Sequence, residues 1–164
     1  GARETGAEIT CLDLRDIPLP LYDGDLQARE GLPENAQNLK ELMKAHQGFL
    51  IASPEYNSSV PGVLKNAIDW ASRAAEGEEP MACFKDKIAA IMSTSPGSLG
   101  GLRGLIHLRA ILGNLRVLVI PDQITLRNSN DAFGADGKLI DQDRNTSVEN
   151  LGKQLVQLLH KLDA

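Results

Sequence analysis

Cysteine is scarce in this sequence: Cys11 and Cys83 are its only two in 164 residues. Two thiols make no disulfide framework, and His46, His107 and His160 stand at no ligand spacing to them or to one another. No disulfide and no structural metal are expected. Long apolar runs are missing as well. The longest, around Phe49 to Ala52 and Val117 to Ile120, fall far short of the ~20 residues a membrane helix needs, and no signal-peptide pattern opens the chain. The sequence predicts a cytoplasmic protein with no membrane partner. A basic stripe is also lacking: 17 Lys+Arg stand against 22 Asp+Glu, for a formal charge of -5, so nucleic acid is not an expected partner. No internal repeat or low-complexity tract interrupts the chain.

What is present is enough apolar material, 42% of residues, for one globular domain over residues 1–164 with a full core. Ile9 to Leu14 reads as a strand by its branched and apolar content, and Gly6 before it reads as the stop signal of a helix whose body lies upstream. Arg15 to Pro33, rich in Pro, Asp and Gly, predicts a long loop. Pro33-Glu34 then starts a helix with Leu39, Leu42 and Met43 on one side, expected to end at Gly48. Phe49-Leu50-Ile51-Ala52, bounded by Gly48 and Ser53-Pro54, has the pattern of a strand buried on both faces.

Pro61 opens the next helix, with Leu64, Ala67, Ile68 and Ala71 at helical spacing until the charged stretch Glu76 to Pro80. Ile88 to Ser93 is a further buried strand. The glycine-rich turn Ser95 to Gly101 leads into a helix carrying Leu105, Leu108, Ile111 and Leu112, and Arg116 to Ile120 is another strand. Pro121 to Arg144 has weak periodicity and turn residues, so it reads as an extended loop or loose hairpin. A last helix carries Val148, Leu151, Leu155, Leu158, Leu159 and Leu162 on one stripe. Strands alternating with helices predict an α/β fold, a doubly wound parallel sheet in three layers. Such sheets bind ligands beyond the carboxyl ends of their strands, which points to the segments after Ala52 and Ser93.

Both segments are unusual. The first runs Ser53-Pro54-Glu55-Tyr56-Asn57-Ser58-Ser59-Val60 and continues Pro61-Gly62-Val63-Leu64-Lys65-Asn66-Ala67-Ile68-Asp69-Trp70. It closely resembles the hallmark of the NAD(P)H-dependent FMN and quinone reductases, in which Pro-Glu-Tyr-Asn precedes a Pro-Gly-x-Leu-Lys-Asn-Ala-Ile-Asp-Trp helix, and it matches at all of those positions. The second, Ser93 to Arg103 with His107-Leu108-Arg109, is similar to the second flavin loop of that family, with a spacing nearest to its quinone and chromate reductases. Asp13-Leu14-Arg15-Asp16 and Leu19-Pro20-Leu21-Tyr22 fit the same pattern, so the likeness covers most of the chain and is weakest from Gln123 to Asp143.

The resemblance implies a flavodoxin-like sheet of strand order 2-1-3-4-5 and FMN and NAD(P)H as cofactors. It places the main chain of Pro54, Glu55, Tyr56 and Asn57 and of Ser95, Pro96 and Gly97 along the flavin edge, with Tyr56 near the ring and Gly100 in the same loop. Glycines there suit close approach of backbone to a ligand, because they carry no Cβ. Hydride chemistry of this kind belongs to the cofactor and calls for no catalytic triad, and none is seen. Arg103 is a candidate phosphate or substrate contact. Tyr22 is either a residue reaching a neighbouring subunit's active site or a buried structural tyrosine. His107 and Arg109 are open between structural and functional roles. Trp70 and Ile68 are assigned to packing, and Lys65, Asn66 and Asp69 to capping, pairing or a subunit contact.

The resemblance also implies a first strand and a phosphate loop that this chain does not display. Roughly thirty residues, the size of a strand, loop and helix, are expected to precede Gly1 in the natural protein. The missing strand belongs between those at Ile9 and Phe49. The implied activity is transfer of a hydride from NAD(P)H through FMN to a small-molecule acceptor: a quinone, free flavin, azo compound or metal oxyanion such as chromate. A homodimer or homotetramer is implied, with the Lys65 to Arg73 helix and the Gln123 to Asp143 segment as candidate contacts. A one-electron flavodoxin-type carrier and a flavin-free scaffold are the alternatives.

Overall fold

β-branched and small apolar residues concentrate in three segments, and those segments form the sheet. In this computed structural model, which describes residues 1–162, β1 is Gly48–Ala52, β2 is Ile88–Thr94 and β3 is Leu118–Leu126. They pair in the order β1-β2-β3, all parallel. β2 is central and therefore buried on both sides. Its Ala89 and Ile91 face one helical layer, while Ile88 and Ala90 face the other.

The helices are α1 (Gly24–Glu30), α2 (Glu34–Ala45), α3 (Gly62–Ala71), α4 (Leu102–Asn114), α5 (Ser129–Ala132) and α6 (Gln142–Leu162). Leu39 of α2, Ala67 and Ile68 of α3, and Leu105, Leu108 and Leu112 of α4 close over Ala89 and Ile91. Each fully buried leucine contributes about 2 kcal/mol of apolar burial. On the opposite face Leu151 and Leu155 of α6 pack on Ile88, Ala90 and Ile120. The result is the three-layer α/β arrangement expected, and the observed strand order is the expected one without its first two members.

β1, expected to be buried on both faces, is an edge strand with Leu50 exposed, and three further segments differ from the sequence reading. Ile9 to Leu14 does not form a strand. It runs without a sheet partner, and Ile9 and Leu12 are exposed. A strand needs a neighbour, and between this segment and β1 lies an open apolar trough of about 280 Å³, lined by Leu12, Leu14, Phe49, Leu50 and Ile51 among others. His46 Nε2 and Thr10 Oγ1, 2.9 Å apart, join its two walls.

Second, the expected loop Arg15 to Pro33 contains α1, which starts because the Asp23 carboxylate accepts from the amides of Asp25 and Leu26. Third, the strand expected to stop at Ile120 continues to Leu126. Pro121 breaks the hydrogen-bond ladder without ending it: Val119 pairs with Ala89, but the next partner of β2, at Ile91, is Gln123. Proline is tolerated at a bulge on an edge strand. The loose hairpin expected downstream is present as a short bridge between Phe133 and Leu139. No helix among the described residues is long and apolar enough to cross a membrane, and Cys11 and Cys83 are free thiols.

Candidate flavin site at the carboxyl ends of β1 and β2

The chain leaves β1 through Ser53, whose amide donates to Met92 O at 2.9 Å and whose side chain is buried. Pro54 then turns it outward. Tyr56 and Ser59 exchange both main-chain hydrogen bonds, each 3.0 Å, around Asn57 and Ser58. Both central residues are left-handed, with φ of 50° and 65°, the geometry of a two-residue type I′ turn. Asparagine tolerates that conformation better than most residues, so Asn57 has a backbone reason for its place. The turn leaves Tyr56 61% exposed at the rim. Pro61, with its side chain fully buried, caps the chain into α3.

The segment after β2 is sewn to the end of β3. Ser95 N donates to Leu126 O at 3.1 Å, Ser95 O accepts from Ser129 N at 3.2 Å, and Thr94 Oγ1 donates to Leu126 O at 3.0 Å. Ser95 Oγ accepts from Gly97 N at 3.1 Å, which shapes the following turn. Gly101 is the position where no side chain fits: its φ is +90° and a Cβ there would lie 1.8 Å from Ser93 Oγ. Gly100, at φ +59°, would press a Cβ against the Leu126 backbone at 2.9 Å. Gly97 has no such constraint.

The two segments touch through Glu55. Its Oε2 accepts from Gly104 N at 2.9 Å, and its Oε1 faces Arg103 Nε at 3.8 Å. Gly104 is in the first turn of α4, whose preceding residue is Gly101 and so has no side chain to satisfy the free amides. A carboxylate from another loop does this instead. Gly104 itself permits the approach: a Cβ would stand 3.3 Å from Ser59 O and 3.4 Å from Glu55 Cβ. One turn later His107 Nδ1 meets Ser59 Oγ at 2.9 Å.

The structure thus places Pro54, Glu55, Tyr56, Asn57, Ser95, Pro96, Gly97 and Gly100 on two adjoining loops at one edge of the sheet. Arg103 begins α4 beside them, more than half exposed and facing Glu55. Tyr22 belongs to a different cluster. Its ring meets Trp70 edge-on at 5.0 Å and lies under the Arg73 guanidinium, while its hydroxyl donates to Gln27 Oε1. Asn66 accepts from Tyr22 N and donates to Pro20 O, and Trp70 Nε1 donates to the same carbonyl at 2.8 Å. Lys65 pairs with Asp69 at 2.7 Å. Gly101 belongs to the glycine-rich turn that the sequence points to, whereas Ser59, Ser93 and Gly104 carry no signal as site residues beyond the spacing of Gly101 and Gly104 ahead of an apolar helix.

The sequence profile of the NADPH-dependent FMN reductases matches residues 1–131. The chain belongs to that family. It is 41% identical over 132 residues to an NAD(P)H-dependent FMN reductase of Pseudomonas aeruginosa, spanning 79% of this chain and 68% of that one. A quinone reductase of Escherichia coli is 41% identical over 126 residues, covering 76% and 64%. The chain thus spans about two thirds of the length of these curated relatives. Among solved structures, the flavoenzyme NAD(P)H:(acceptor) oxidoreductase FerB of Paracoccus denitrificans superposes with a TM-score of 0.76 at 31% identity, over 98% of this chain and 84% of that one.

The donor set at the two loops suits the FMN of this reductase family. An isoalloxazine ring offers a polar edge and a flat apolar face. Among the described residues, the main-chain N–H groups of Asn57, Ser58 and Ser98 have no intramolecular acceptor, and Tyr56 and Leu99 supply exposed apolar surface on the same two loops. The polar side chains beside these loops are engaged with one another: Glu55 with Gly104 and Arg103, His107 with Ser59.

Proposed function

We propose that this chain carries the flavin-edge loops of an FMN-dependent reductase that passes two electrons from NADH or NADPH to a quinone. The observation that carries this reading is the pair of loops, Pro54 to Asn57 and Ser95 to Gly100, exposed at Pro54, Tyr56 and Asn57 and from Pro96 to Leu99, and lying side by side over buried Ser53, Ser93, Gly100 and Gly101. In the working protein the amides of Asn57, Ser58 and Ser98 would hold the flavin by its polar atoms, and Tyr56 and Leu99 would give it apolar surface. FMN, when bound, supplies the hydride relay between nicotinamide and acceptor. The chain contributes position: Ser95 is fixed by β3, Asn57 by its turn, and no free acid or base is needed at the loops.

An open flavin face would admit other flat or small oxidants, so free flavin, azo compounds and chromate are included as acceptors. Arg103 is kept as a contact for nicotinamide or substrate phosphate, competing there with its pairing to Glu55. Tyr22 can reach a partner's site only through the face that its Trp70 and Arg73 contacts leave open. Assembly as a homodimer or homotetramer and work in the cytoplasm, where the NAD(P)H pool lies, complete the proposal.

The test is a visible spectrum of the protein supplied with FMN, taken before and after anaerobic addition of NADPH or NADH. Yellow protein that bleaches and recovers with added quinone supports the reductase. A stable one-electron state with no response to nicotinamide would replace it with an electron carrier, and failure to take up FMN would leave a flavin-free scaffold.

A further inference from the structure

Glu55 lies within the segment that holds the flavin edge, yet its carboxylate points away from the exposed rim. It accepts from Gly104 N at 2.9 Å, and only 9% of its side chain is accessible. A buried carboxylate with a charge-assisted hydrogen bond from a helix's first turn is held more firmly than an ordinary surface side chain. α4 is 13 residues long, and its preceding Gly101 cannot cap it. Two glycines make the contact possible. A Cβ at Gly101 would collide with Ser93 Oγ at 1.8 Å, and one at Gly104 would crowd both Ser59 O and Glu55 Cβ.

We infer that Glu55 is a positioning residue, which sets the spacing between the two flavin-edge loops by serving as the cap of α4. It is not a group that touches the reacting atoms. The inference rests on the FMN reading above and adds a specific consequence. The amino terminus of α4 is an attractive place for a phosphate in general, but here a protein carboxylate already occupies it and Arg103 stands opposite. The cofactor's phosphate is therefore bound elsewhere, and α4 serves as a rigid ruler between Pro54–Asn57 and Ser95–Gly101. The His107–Ser59 contact repeats the tie one turn further along, on the same face.

Glu55→Ala and Glu55→Gln in the full chain test this, with two readouts on each. The first is hydrogen exchange of the Gly104 amide in protein without flavin. The second is the FMN dissociation constant, from quenching of flavin fluorescence well below the melting temperature. Glu55→Ala is expected to speed Gly104 exchange and to weaken FMN binding by about tenfold to a hundredfold, the scale of one charge-assisted hydrogen bond. Glu55→Gln keeps an acceptor at the same place and is expected to restore most of both. Unchanged Gly104 exchange in Glu55→Ala overturns the brace. So does an FMN affinity within twofold of wild type, or a loss of turnover in Glu55→Gln with affinity intact. If the wild-type protein takes up no FMN at all, the function proposed above fails, and with it the flavin role of the brace, while faster Gly104 exchange in Glu55→Ala would show that the cap itself is real.

Discussion

At the scale of single residues, the site depends on positions where a side chain cannot be added. Gly101 combines a φ of +90° with a Cβ path blocked by buried Ser93. Gly101→Ala is expected to cost several kcal/mol, because both strain and a hard contact oppose it. A thermal melt together with FMN titration checks this, and a variant as stable as wild type that still binds flavin would refute it. Gly97→Ala is the control, with a φ outside the left-handed region and its nearest neighbour at 3.5 Å. The sequence marked all of these glycines alike as a glycine-rich turn. It could not rank them, since what separates Gly101 from Gly97 is the distance to Ser93 Oγ, a contact between elements. Asn57 is similar: the motif singled it out as a cofactor residue, while the left-handed turn that gives it a backbone role becomes visible only in three dimensions.

At the scale of elements, the sheet and the α2 to α3 connection are each held by one cation. Arg109 donates to Val119 O, Ile120 O, Pro121 O and Gln123 Oε1, gathering three main-chain carbonyls and a side-chain oxygen around the β3 bulge. Arg109→Leu is expected to destabilise the protein by about 2 kcal/mol, since hydrogen bonds to a charged group are lost from partly buried acceptors. Chemical denaturation measures it, and faster amide exchange in Gln123 to Leu126 should accompany it. This bracket explains why β3 outlasts Pro121, which the local pattern read as the end of the strand.

The second cation is Lys40 on α2, almost fully buried, bonded to Arg73 O and to Glu78 Oε2 at 2.5 Å. Burial would raise the pKa of Glu78, but hydrogen bonds from Lys40, the Ala75 amide and Lys44 outweigh it and hold it at about 2, below its usual 4.5. A carboxylate depressed on folding gives stability that is complete above its unfolded pKa and is lost as pH falls through the folded one. Stability should therefore decline between about pH 4.5 and 2 in wild type and decline less steeply in Glu78→Gln, as followed by melting temperature against pH. Lys40→Met should cost about 3 kcal/mol, because it strips a buried carboxylate of its main partner.

At the scale of the whole molecule, the order of elements and the three layers were legible in the sequence, because buried strands and amphipathic helices announce themselves by pattern alone. The flanking segment was not. Ile9 to Leu14 has the composition of a strand, but a strand exists by pairing, and across the trough from β1 this segment has no paired neighbour among the described residues. The candidate site was marked in the sequence by a long motif match, whereas the tie between Glu55 and Gly104 of α4 was not legible, since the two residues lie 49 positions apart. The central claim is that the two loops bind flavin edge-on. Amide chemical shifts recorded during FMN addition test it most directly. The account predicts changes concentrated in residues 55–59 and 95–104, with the core-facing stretch around Leu151 and Leu155 of α6 unmoved. Changes that spare both loops, or that centre on α6, would contradict it.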